Sequence, residues 1–117
     1  MGVWSEADLA RAVLRRLGVL GTGQNPSAED SADVIESWVS IHQNLRTQGV
    51  APFPVSAIPV EAQHACSHIL ADANAGDFGV TGERAALLAK DSDEGFETLR
   101  REYAARPKLL PVWARYF

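Results

Sequence analysis

The densest chemistry in this chain is the stretch "HACSH", which places His64, Cys66 and His68 within two turns of a helix. Histidines at i and i+4 share one helix face and could chelate a divalent metal, with Asp72 one turn further along. The zinc-protease pattern needs glutamate directly after the first histidine, and Ala65 stands there instead. Cys66 is two residues from each histidine, so it points elsewhere, onto a small apolar face where buried free cysteines are common. The expectation is of ordinary surface histidines, no metal and no cofactor.

Three other short matches carry less. "DFG" at 77–79 copies the magnesium-binding triplet of protein kinases, but no glycine-rich loop, V-A-I-K strand or H-R-D loop accompanies it. A loop between two helices accounts for its aspartate and glycine. "DSDEG" at 91–95 hints at a calcium loop, yet the sixth position, where glycine is required, is Phe96. A solvated acidic helix face is the better reading. "GTG" at 21–23 lacks the lysine or third glycine of a phosphate cradle. No local signature marks a serine or cysteine nucleophile, so the chain is expected not to be an enzyme.

The elements that would position these residues are helical. Ser5 caps a first helix with Asp8 as the acid of a capping box, and Gly18 stops it after Leu17. Leu9, Val13 and Leu17 define its buried face. Ser27 opens a second helix, with Glu29 and Asp30 at its positive end and Gly49 beyond its last turn. Its buried rhythm reads Ala28, Ala32 or Ile35, Trp38, Ile41 and Leu45, with Trp38 as a core anchor. Pro52 and Pro54 exclude a central strand in residues 50–58, leaving an extended crossover with a short edge strand over 55–58.

Pro59 starts a third helix. Its face of Ala62, Ala65, Cys66, Ile69, Leu70 and Ala73 is made largely of small residues, which suits a central position. Thr81 caps a fourth helix, whose apolar residues Ala85, Leu88, Phe96, Leu99 and Tyr103 skip a turn near Ser92. Gly95 weakens that helix by roughly 1 kcal/mol relative to alanine and predicts a break there. Pro107 ends it. The architecture is an all-α, small four-helix bundle: a helical domain over 1–106 and an extended C-terminal tail over 107–117.

Composition fits one ordinary globular domain in 117 residues, with a single cysteine and hence no internal disulfide. The start mixes acids and arginines with apolar residues, unlike a signal peptide, and Glu6 stands where a myristoylation motif wants serine or threonine. The longest uncharged stretch, 47–60, holds three prolines and is too short to span a bilayer. A soluble protein of a reducing compartment, with no membrane association, is expected.

Charge divides the chain unevenly. Residues 1–99 carry 6 basic and 14 acidic groups, whereas 100–117 carry 5 basic groups against Glu102 alone. An acidic body is a poor partner for phosphate backbones. The tail "LLPVWARYF" is mostly apolar and holds three of the nine aromatics. Beyond a helix ended by proline, such a segment is expected to dock on another chain. Leu109, Leu110, Val112, Trp113, Tyr116 and Phe117 are its apolar contacts and Arg115 its polar partner. Folding back onto its own domain is the alternative.

The order of these features resembles the head–tail connector proteins of tailed bacteriophages, the adaptor or tail-accessory-factor family. Leu17, Gly18, Val19 and Leu20 end the first helix, Gly21 and Gly23 form a glycine-rich turn, and Pro26, Ser27, Ala28 and Glu29 open a long helix bearing Trp38. An alanine-rich helix after a proline follows, from Ile58 and Pro59 to Ala75. The resemblance covers residues 5–105 and rests on structural motifs. It implies a non-enzymatic virion protein made in the host bacterial cytoplasm and located at the head–tail junction. It further implies a homo-oligomer, typically a dodecameric ring, between the portal protein and the next tail or stopper protein. Duplex DNA would pass through its lumen without specific binding.

Two other classes compete. A small helical DNA-binding or regulatory domain would need a basic reading helix, to which Arg11, Arg15 and Arg16 are the nearest approach. A metal enzyme would have to be built on His64 and His68.

Overall fold

A computed structural model describes residues 2–21 and 23–104, with the backbone alone at 104. The described residues form a small all-α bundle of four helices. These are α1 (Glu6–Arg16), α2 (Ala28–Thr47), α3 (Val60–Asn74) and α4 (Gly82–Leu99), and a single π-helical turn, Arg100–Ala104, continues α4.

Local chemistry sets the helix ends. Ser5 Oγ accepts from the Asp8 N–H at 3.2 Å, and the Asp8 carboxylate accepts from the Ser5 N–H at 3.0 Å. Replacing such a cap by alanine typically costs about 0.5–2 kcal/mol. Gly18 takes the left-handed conformation, φ +81°, that a side chain would oppose. Arg84 from α4 reaches across to this end and donates to the Arg16 carbonyl at 3.0 Å, placing a cation at the negative end of α1. Ser27 caps α2 through the Asp30 N–H at 3.1 Å. Thr81 stands at the N-cap of α4 but makes no side-chain capping bond. Pro59 is the N-cap of α3, one residue before the helix begins.

The core is one cluster. Leu9, Val13 and Leu17 are buried as the spacing predicts, joined by Ala10 and Leu14. On α2 the buried line is Val34, Trp38, His42 and Leu45, with Ile35 and Ile41 packed at its margin. Of the expected rhythm, Ile35 rather than Ala32 packs against the core; Ala28 and Ala32 are exposed because they turn away from the Val34, Trp38 and Leu45 face, while Asp30 and Ser31 are half-buried. Trp38 is fully buried and its indole N–H donates to the Val55 carbonyl at 3.1 Å. His42 Nε2–H donates to the Phe53 carbonyl at 2.6 Å, so two α2 side chains pin the proline-rich crossover. The rings of Trp38, His42, Phe53 and Tyr103 follow one another at centroid spacings of 5.3, 5.8 and 5.6 Å. The edge strand expected over 55–58 is reduced to one antiparallel bridge, in which Trp4 and Ile58 exchange two 2.9 Å backbone bonds.

Helix α3 packs against the other three helices. Ala62, Ala65, Cys66 and Leu70 are buried, Ile69 is half-buried, and Ala73 faces solvent. The expected break in α4 does not occur: the helix runs unbroken through Gly95. A Cβ at Gly95 would lie 2.9 Å from the Ala65 carbonyl oxygen. The missing side chain lets the two backbones touch, and that packing outweighs the weak helix propensity of glycine.

Candidate functional site

His64 and His68 lie on one face of α3, their rings stacked with centroids 6.1 Å apart; His64 is exposed as expected, whereas His68 is half-buried because α4 packs beside it. His68 sits 3.9 Å from the Asp91 carboxylate of α4, too far for a hydrogen bond, and its Nδ1 is buried with no partner among the described residues. Burial and the neighbouring Arg16 guanidinium hold its pKa below the ordinary histidine value, against the pull of Asp91 and Glu94. Asp72 does not complete a site: among the described residues no three histidine, cysteine or acidic side chains converge as metal ligands. Cys66 is fully buried, and burial pushes its thiol up to about 12, so it is neither a thiolate nucleophile nor a ready ligand.

The other sequence matches sit in structural roles. Asp77 and Gly79 belong to the turn between α3 and α4, while Phe78 packs against the core. Residues 91–95 lie inside α4, with Asp93 and Glu94 exposed and Gly95 buried against α3. In the glycine-rich turn, the Gly21 N–H donates to the Gln24 side-chain oxygen at 2.8 Å and is taken up within the loop.

Among the described residues, charged concavities form between α1 and α3 and between α2 and the end of α3, besides one along α4 and its π-helical turn. The first, about 420 Å³, lies between α1 and α3 and is lined by Trp4, Ala12, Arg15, Arg16, His64 and Ser67. The second, about 470 Å³, lies between α2 and the end of α3 and is lined by Asp33, Glu36, Ser37, Ser40, Asn74 and Asp77. Asn74 stiffens this groove by donating to Ser37 Oγ at 3.2 Å and to the Leu70 carbonyl at 2.9 Å. Among the described residues Arg100 pairs with Glu97, and the other contact of this kind is the 3.9 Å approach of His68 to Asp91. Arg11 and Arg15 on the outside of α1, and Asp33, Glu36 and Asp77 in the groove, therefore have no oppositely charged partner there.

Neither concavity was read from the sequence. The spacing of Asp33 and Glu36 marks them as neighbours on a helix, but only the fold brings Asp77 beside them. The predicted docking residues Leu109, Leu110, Val112, Trp113, Arg115, Tyr116 and Phe117 lie outside the described residues, as does the boundary at 106–107. Among the described residues no helix is long and apolar enough to cross a membrane. None of the protein families, curated proteins or solved structures compared with the chain matches it.

Proposed function

We propose that this chain is a non-enzymatic ring adaptor of a tailed bacteriophage, seated between the portal protein of the capsid and the next tail or stopper protein. A ring of about a dozen copies would extend the DNA conduit, and residues 107–117 would dock on the portal or on a neighbouring copy. The observation that carries this reading is the placement of the residues behind the family resemblance. Leu17 and Gly18 end α1, Ser27 caps α2, Trp38 anchors the crossover, and Pro59 opens the small-residue α3. Residues that would otherwise be scattered matches are the punctuation of one fold.

Charge supports the same reading. A body with 14 acidic and 6 basic groups over residues 1–99 repels duplex DNA, as a conduit wall must if DNA is to slide. The runner-up, a small helical DNA-binding domain, draws on Arg11, Arg15 and Arg16, three of those six basic groups on one helix.

The test is reconstitution on DNA-filled heads that lack this protein. The purified chain should bind saturably at the portal vertex, at a fixed number of copies, and enable tail joining. Heads that do not take it up, combined with tight salt-sensitive binding to free duplex DNA, would favour the runner-up.

A further inference from the structure

We infer that successive copies in the ring meet through the Arg11 and Arg15 ridge of α1 on one copy and the Asp33, Glu36 and Asp77 groove on the next. This contact rests on the ring reading and gives it a specific interface. The two surfaces belong to different parts of one molecule, so repeating the contact from copy to copy is head-to-tail, which generates a ring where the rotation between copies closes.

The spacings are comparable. Arg11 and Arg15 are exposed on one face of α1, about 6 Å apart along the axis at 1.5 Å per residue. Asp33 and Glu36 are exposed on α2, about 4.5 Å apart by the same rise, at the wall of a concave groove. Two long cationic side chains can therefore enter a groove whose nearest carboxylates repeat at similar spacing. Arginine suits the task, since its planar fork matches carboxylate geometry.

Charge argues for this pairing over others. An acidic body opposed to another acidic body is repelled across most orientations. Three of the body's six basic groups are concentrated on α1, and Arg11 and Arg15 have no oppositely charged partner among the described residues. Setting that ridge into the groove of a neighbour turns the repulsion into attraction and fixes the register between copies. Each such pair is individually weak and screened by salt, so the assembly should loosen as ionic strength rises.

Sedimentation velocity on the full chain tests the contact, at low and high ionic strength, with and without the portal protein. R11E/R15E and D33R/E36R should each keep the native helical circular dichroism, because all four residues are exposed, and each should lose the assembled species. Mixed in equal amounts they should regain it, because the glutamates of one variant then face the arginines of the other. Assembly of R11E/R15E at native strength would overturn this contact and leave the ring reading standing. So would loss of duplex DNA binding in that variant with assembly unchanged. A native chain that assembles under none of these conditions would overturn the ring reading, and the contact with it.

Discussion

Gly95 of α4 and Ala65 of α3 touch through their backbones: a Cβ on the glycine would stand 2.9 Å from the alanine carbonyl oxygen. That oxygen belongs to a helix backbone and has little room to retreat. Alanine at 95 would gain roughly 1 kcal/mol in intrinsic helix propensity. Forcing two packed helices apart typically costs 1–3 kcal/mol, about as much or more. Gly95→Ala should therefore leave the protein no more stable and up to about 2 kcal/mol less stable in urea unfolding. A clear stabilisation would mean that the helices are not in close contact there.

Trp38 joins α2 to the crossover by a buried ring and one hydrogen bond. Trp38→Phe keeps an aromatic but strands the Val55 carbonyl and leaves a void, for a loss of about 1–3 kcal/mol. Chemical denaturation with an unchanged m-value would check this. An effect below about 0.5 kcal/mol would show that the crossover is held elsewhere.

His68 gives the fold a pH dependence of stated sign. Its folded pKa lies below the ordinary value of 6.5, chiefly through burial and then through Arg16. The unfolded chain binds the proton more readily, so this contribution is complete above pH 6.5 and is lost as pH falls below it. Arg16→Gln should raise the His68 pKa, and His68→Gln should flatten the stability profile between pH 6.5 and its folded pKa. Histidine NMR titration reads the first effect and melting across pH reads the second. A His68 that titrates at or above the ordinary value would contradict the packing described.

Residues 107–117 should act outside the helical domain. Their deletion is expected to leave cooperative melting within a few degrees of the full chain while abolishing attachment to the portal or to a neighbouring copy. Unfolding of the shortened chain would instead place the tail in its own core.

What was legible in the sequence follows from range. The Ser5 and Asp8 capping box, the Ser27 cap, the stop at Gly18 and the buried line of α1 are written within a few residues, and their chemistry can be read locally. Gly95 reads as a helix break in the sequence because what it serves, close contact with Ala65, lies on another helix. His42 was absent from the expected core for a similar reason. A histidine is buried readily only when a partner such as the Phe53 carbonyl is in place, and that partner lies beyond α2. Alanine is tolerated on either side of a helix, so the type of the exposed Ala28 does not show which face it shares; Ile35, the larger of the two residues offered at the next position, is the one that packs on the core. The acidic groove needed the α3–α4 turn to bring Asp77 beside α2. The histidine pair was legible as a face of α3, and its meeting with Asp91 of α4 was not.

The most direct measurement is the native mass of the full chain, alone and mixed with the portal protein. The account predicts a closed assembly of about a dozen copies, formed by the chain itself or on the portal. A monomer that ignores the portal at every concentration would contradict it.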